Sequence, residues 1–187
     1  MSARIVFHLG VSIDGFFEGP DREIDWHCVD EELHLHMNEV LAANGGFLEG
    51  RVTHQLMSAY WPTADQAPDA SPAEVAFARI WRDMPKWVFS RTLQDDPWAT
   101  VVHEVVPAEI EALKAGADAD LVVGGPDLAA TFFRHGLVDE VRLYVHPVVL
   151  GQGHPAFLTP PRLDLALVET RAFGNGVVLL RYSRTTS

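Results

Sequence analysis

Three short segments of the chain combine residue types that bind phosphate. They are Gly50-Arg51-Val52-Thr53, Ser90-Arg91-Thr92 and Gly124-Gly125-Pro126-Asp127. Each follows an apolar run: Gly46-Phe47-Leu48, Lys86-Trp87-Val88-Phe89 and Leu121-Val122-Val123. That pattern predicts a strand handing over to a helix or loop, and in an open α/β sheet ligands bind beyond the carboxyl ends of the strands. Two of the ends carry an arginine and a hydroxyl, and arginine presents a planar fork of donors to phosphate. The third carries paired glycines, where backbone N–H groups can approach an anion closely. Together they predict a site for a phosphate-bearing nucleotide and point to a cofactor-dependent enzyme.

Other residues carry weaker signals. Asp14, before Gly15, reads either as an Asp-Gly turn or as a carboxylate aimed into the pocket, as proton relay or substrate anchor. Ser12 has no nearby base of the kind a nucleophile needs. Gly151-Gln152-Gly153-His154-Pro155-Ala156 matches a dinucleotide fingerprint, but Pro155, Pro160 and Pro161 prevent the long helix that fingerprint opens. It is read as a loop bordering the pocket. The stretch from Trp26 to His36 is dense in possible metal ligands. On a helix His34 and His36 point about 200° apart. Glu31 and His34 could share an ion, but no second such pair exists, so no metal site is expected and Leu33, Met37 and Val40 are read as the inward face.

The elements that must position these residues alternate. Strands are predicted near 4–9, 47–49, 86–89, 100–103 and 121–123. Helices are predicted from Asp30 as cap to about 43, over 51–60, from Ser71-Pro72-Ala73-Glu74 to 84, over 107–115, and over 127–135. Residues 140–146 alternate polar and apolar, which predicts a strand with one wet face. Residues 163–171 and 177–182 flank Gly174-Asn175-Gly176, a hairpin signal. The reading is one α/β domain over 1–187, its mixed sheet mostly parallel with an antiparallel C-terminal end.

Composition bounds the function. The chain has 187 residues, 48% of them hydrophobic, with mean hydropathy +0.04. That suits one globular domain without a membrane span. Its net charge of −12 leaves no visible basic face, so nucleic acid is not an expected partner. Cys28 is the single cysteine, no signal-peptide core precedes the first strand, and the cytoplasm is the expected compartment.

The motifs also occur in an order that resembles a family. Ser12-Ile13-Asp14-Gly15, Gly50-Arg51-x-Thr53, Lys86-x-Val88-x-Ser90-x-Thr92, Gly124-Gly125 and Gly136-Leu137-Val138-Asp139-Glu140 are followed by Pro147-Val148-Val149-Leu150-Gly151-x-Gly153. The series is similar to the dihydrofolate reductase superfamily, in the branch of the reductase domain of the bifunctional riboflavin-biosynthesis deaminase–reductase. The resemblance implies a three-layer α/β/α fold and use of NADPH to reduce a C=N or C=O carbon of a small polar, pyrimidine- or pterin-like molecule. It implies that Arg51 and Thr53 lie beside the cofactor phosphates, Ser90 and Arg91 face the 2′-phosphate, and Gly124 and Gly125 admit the pyrophosphate. The nicotinamide is expected against Val11 to Gly15. Asp14 and then Glu31 are the candidate catalytic carboxylates. Trp26 could stack on a flat substrate ring or sit in the core. The single cysteine leaves no zinc deaminase pattern, so a stand-alone reductase domain is expected. Relatives of this branch dimerise, and residues 141–145 with Tyr60, Trp61 and Trp98 are the expected homodimer surface. The alternative is a non-catalytic nucleotide-binding module on the same fold.

Overall fold

The computed structural model describes residues 2–185. Its apolar runs pair as strands because each buries both faces only between neighbours and under helices. β1 (Ile5–Ser12) lies between β6 (Leu121–Gly124) and β7 (Glu140–His146). On the other side of β6 follow β3 (Gly46–Gly50), β4 (Lys86–Phe89) and the edge strand β5 (Thr100–Val102). All these pairings are parallel. β10 (Val178–Arg184) runs antiparallel both to β7 and to the outer strand β9 (Leu165–Ala172). The eight strands thus run β5-β4-β3-β6-β1-β7-β10-β9. Two short strands, β2 (Phe16–Glu18) and β8 (His154–Pro155), form a separate antiparallel pair.

Helices cover both faces of the sheet. α4 (Pro107–Gly116) and α5 (Pro126–Arg134) pack Ile110, Phe132 and Phe133 on Ile5, Phe7, Leu48 and Leu121. α1 (Glu31–Ala42) and α3 (Pro72–Asp83) cover the opposite face, where Leu41, Phe77 and Trp81 meet Phe47 and Val122. Met57 of α2 (Arg51–Tyr60) joins that second core. Local chemistry sets the helix starts. The Asp30 carboxylate accepts from the Leu33 N–H, and Ser71 and Glu74 form a reciprocal capping box before Pro72. Among the described residues no helix is long and apolar enough to cross a membrane.

Three expectations are corrected by the packing. β7 has no wet face. It is paired on both sides, and Glu140, Arg142, Tyr144 and His146 are all buried beneath the α1 side. The alternation reflects a buried ion-pair cluster: the Glu140 carboxylate accepts from Arg4 at 2.8 Å, from Arg142 at 2.7 Å and from Arg181 at 2.7 Å. Burial alone would raise that carboxyl, but the hydrogen bonds and charges of Arg181 and Arg142 hold it below its ordinary value. Of the residues 141–145 expected at a dimer surface, Val141, Arg142 and Tyr144 are therefore buried, and only Leu143 and Val145 are partly exposed. Trp61 is likewise engaged, edge-on against Phe77 at 4.4 Å. β9 is the strand exposed at every residue, including Leu165, Leu167 and Val168. Finally, segment 151–156 does not border a pocket as a free loop. His154 and Pro155 pair with Glu18 and Phe16, and a Cβ on Gly153 would lie 2.3 Å from the Glu18 carbonyl oxygen.

Candidate active site

The carboxyl ends of β1, β3, β4 and β6 open on one cleft of about 1070 Å³. Two helices aim their N-termini at it. α2 begins at Gly50 and α5 at Gly125, and neither has a side-chain cap. Their leading N–H groups therefore remain available, each at the positive end of a helix dipole. The two starts touch. Gly125 has φ +83°, and a Cβ there would stand 2.7 Å from the Thr53 Oγ1. Only glycine satisfies both the backbone angle and the approach. Arg51 is exposed on the first turn of α2, which has no acidic residue, and donates to Gln55 at 2.9 Å. Across the cleft Arg91 is exposed after Ser90, whose buried Oγ accepts the Thr92 and Leu93 N–H groups at 3.3 and 3.1 Å. The Ser90 hydroxyl thus shapes the turn that presents Arg91.

Gly50, Arg51, Thr53, Ser90, Arg91, Gly124, Gly125, Pro126 and Asp127 all line this one cleft. Of the remaining cofactor candidates, Val11 is buried and Thr92 is exposed, and neither lines it. Leu9 and Gly10 form the β1 wall instead. The residues expected to touch substrate lie elsewhere. Asp14 accepts from Ser12 Oγ at 2.7 Å and from the Leu150 and Gly151 N–H groups at 3.1 and 2.7 Å. The Ser12 bond first, then the two backbone bonds, hold its pKa below the ordinary value. An ionised carboxylate with three donors is a clamp on the loop after β7, not a proton donor. Gly151 is the other half of that clamp. Glu31 is exposed on the first turn of α1 and does not line the cleft. Trp26 donates its indole N–H to the Glu23 carbonyl at 3.2 Å and stands edge-on to His27 at 4.2 Å. It walls a histidine and does not itself line the cleft.

That histidine belongs to a group the sequence reading missed. His27 lines the cleft and stacks on His146, with centroids 4.6 Å apart and planes 8° apart. Both lie over Gly10. A Cβ on Gly10 would stand 3.1 Å from His27 Cε1 and 3.2 Å from His146 Nε2. The Cys28 N–H donates to His146 Nδ1 at 3.0 Å, which fixes the proton of the neutral ring on Nε2. Burial, then the neighbouring His27, press the His146 pKa down to about 4, and burial lowers that of His27. Both rings are neutral at pH 7. Behind Gly10, on the same face of the sheet, both ring nitrogens of His8 and the Tyr144 hydroxyl are buried without partners among the described residues. The two rings lie 5.0 Å apart. The glycine at position 10 was the one available signal, since it leaves room where β1 would otherwise carry a side chain. On α5, Thr131, Arg134 and His135 also reach the cleft, at the i, i+3, i+4 spacing of one helix face.

The comparisons with known proteins decide the family. The family model described as RibD C-terminal domain matches residues 3–179. The chain belongs to the RibD C-terminal domain family. Within it, the chain is 36% identical over 182 residues to the uncharacterized protein YyaP of Bacillus subtilis, covering 96% of this chain and 94% of that one. It is 28% identical over 154 residues to the riboflavin biosynthesis protein RibD of Mycobacterium tuberculosis, covering 79% of this chain and 43% of RibD. Solved structures agree on the fold. A candidate riboflavin biosynthesis protein of Shewanella sp. PV-4 superposes with TM-score 0.73 at 22% identity, covering 98% of this chain and 99% of that one. The diaminohydroxyphosphoribosylaminopyrimidine deaminase/5-amino-6-(5-phosphoribosylamino)uracil reductase of Thermotoga maritima gives 0.66 at 14% identity, covering 98% and 57%. The RibD-family fold of this chain is therefore dihydrofolate-reductase-like, as its ordered motifs imply.

Proposed function

We propose that this RibD-family protein is an NADPH-dependent reductase acting on a C=N or C=O carbon of a small polar, pyrimidine- or pterin-like substrate. The observation that carries the reading is the meeting of two uncapped helix N-termini at Thr53 and Gly125, flanked by Arg51 and Arg91. The glycine cradle, open backbone donors and arginines on opposite walls fit a dinucleotide bearing a further phosphate. When bound, the nicotinamide supplies the hydride.

The chain supplies position and polarity. The first turns of α2 and α5 hold the pyrophosphate through their N–H groups, and Arg51 adds charge. Ser90 shapes the turn that brings Arg91 to the 2′-phosphate. Asp127, exposed in the first turn of α5, is placed to accept from a ribose hydroxyl. At the β1 end, the space over Gly10 is filled by His27 and by His146 packed behind it. His27, the ring that lines the cleft, would donate to the oxygen or nitrogen of the bond being reduced. A neutral imidazole donor replaces the carboxylic acid expected at Asp14. The reading includes a homodimer, for which β9 offers exposed apolar side chains that β7 lacks; sedimentation velocity measures it.

The test is a titration of the purified protein with NADPH and with NADH, followed by tryptophan quenching and energy transfer to the nicotinamide. NADPH is expected to bind at least about tenfold more tightly than NADH, the effect of about one charge-assisted contact. Absence of binding by both would overturn the reading.

A further inference from the structure

His54 directly follows Thr53 on the first turns of α2 and has no exposure to solvent. Its Nδ1 stands 2.7 Å from Glu49 Oε2 and its Nε2 3.0 Å from Asp96 Oδ1. The two carboxylates come from different kinds of backbone, one a strand paired on both sides and the other an irregular segment. Glu49 lies in β3, which is paired on one side with β4 and on the other with β6. Asp96 lies in the irregular segment between β4 and β5 that also carries Arg91. That segment is otherwise held by the Ser90 turn, by the Trp98 N–H on Asp96 at 2.8 Å, and by Trp98 against Trp81 at 5.6 Å. The Arg91 side chain makes no hydrogen bond among the described residues, so its backbone alone places it.

We propose that His54 is a positioning residue that ties the Arg91 segment to β3, and so sets the preference for a dinucleotide carrying a 2′-phosphate and makes that preference pH-dependent. The inference rests on the cofactor assignment above. Imidazolium donates from both nitrogens, whereas neutral imidazole has one donor and one lone pair. A neutral ring would turn its lone pair toward one carboxylate, a repulsive contact at a ring that is itself fully buried. Asp96, on the irregular segment, is the end that yields.

The charged groups around the ring can be named. From β3 comes Glu49, from the 90–99 segment Asp96, and from β4 Lys86, whose Nζ is occupied by the Trp81 and Met84 carbonyls. From α3 only the Trp81 ring faces it, at 6.2 Å. Burial disfavours the imidazolium, but hydrogen bonds to Glu49 and Asp96 and their charges outweigh it, and the pKa is raised above 6.5. The tie is therefore complete below pH 6.5 and lost as pH rises through the raised value. Ionisation of a 2′-phosphate, with its second pKa near 6, strengthens binding as pH rises, so it cannot mimic an alkaline loss.

The experiment measures dissociation constants for NADPH and NADH between pH 6 and 9.5 in the wild type, His54→Gln and Asp96→Asn, with circular dichroism as the check on folding. The wild type is expected to lose about tenfold in NADPH affinity on the alkaline side, while NADH stays level. Both variants are expected to start about tenfold weaker for NADPH at pH 7, unchanged for NADH, and to show no alkaline loss. A variant that keeps both the wild-type NADPH preference and the alkaline loss would overturn the inference and leave the cofactor assignment standing. Should His54→Gln fail to fold, Asp96→Asn, whose change lies on the irregular segment, decides by the same criterion. Wild-type protein that binds neither nucleotide at any pH would instead overturn the cofactor assignment.

Discussion

The two ends of the cleft solve opposite problems. At the proposed phosphate end, helix N-termini and exposed arginines offer permanent positive charge, which suits permanent anions. At the β1 end, His27 and His146 are neutral and largely buried against Gly10, with the His146 pKa near 4. In the proposed reaction charge would appear there only as the substrate is reduced, where a neutral donor suffices and a permanent cation would cost desolvation. The contrast predicts that binding and chemistry are separable in this chain, and substitutions at either end should show it.

The largest effect is expected at the β1 end. His27→Phe should lower turnover by about 100- to 1000-fold, the scale of losing one preorganised donor, with NADPH affinity within about threefold. His27→Gln, which can still donate, should recover part of the rate. A large loss of NADPH binding in either variant would merge the two ends. Gly125→Ala should act on the other end alone, by about 100-fold in dinucleotide affinity, because the new Cβ meets Thr53 Oγ1 at 2.7 Å on a backbone with φ +83°. Isothermal titration with NADPH and NADH checks it, and both should weaken together. Arg91→Ala is smaller and selective: NADPH should weaken about tenfold and NADH hardly at all. Equal losses would remove Arg91 from the 2′-phosphate.

Acid should act on the neutral histidines and leave the arginines charged throughout. Burial first, then Arg142, push His8 down to about 3, while His146 stands at about 4. Both folded values lie below the unfolded 6.5, so the unfolded chain binds more protons as pH falls from 6.5. Their contribution is complete above pH 6.5 and is lost toward pH 4 and 3. Thermal melts should show a falling Tm over that range, and His8→Leu should flatten it. The smallest effect is expected for Asp14→Asn, about twofold on turnover, because the clamp lies outside the cleft. A loss approaching that of His27→Phe would restore Asp14 as the acid.

Legibility differed between the ends for physical reasons. That Gly50-Arg51, Ser90-Arg91 and Gly124-Gly125 share one cleft was readable because each follows a strand end directly in the chain. The β1 end joins Gly10, His27 and His146, and nothing in their spacing says that they meet. Alternation in residues 140–146 was read as a wet face, because a sequence cannot say which strand will supply counter-charges. Here Arg4 from β1's entry and Arg181 from β10 neutralise Glu140. The carboxylate expected as an acid, Asp14, proved to be tied to the backbone of a loop 136 and 137 residues further along.

The sequence by itself determined the α/β alternation, the helix caps at Asp30 and Ser71, the C-terminal hairpin and the strand-end segments that meet in the cleft. These depend on periodicity, capping chemistry and residues adjacent in the chain, which act over a few positions. Tertiary structure alone decided that β7 is buried on both faces, that His146 is a neutral Nε2–H donor over Gly10, and that His54 bridges β3 to the Arg91 segment. Each of those depends on which distant groups are brought within hydrogen-bonding range in a space closed to water, and burial there sets both the protonation state and the partner.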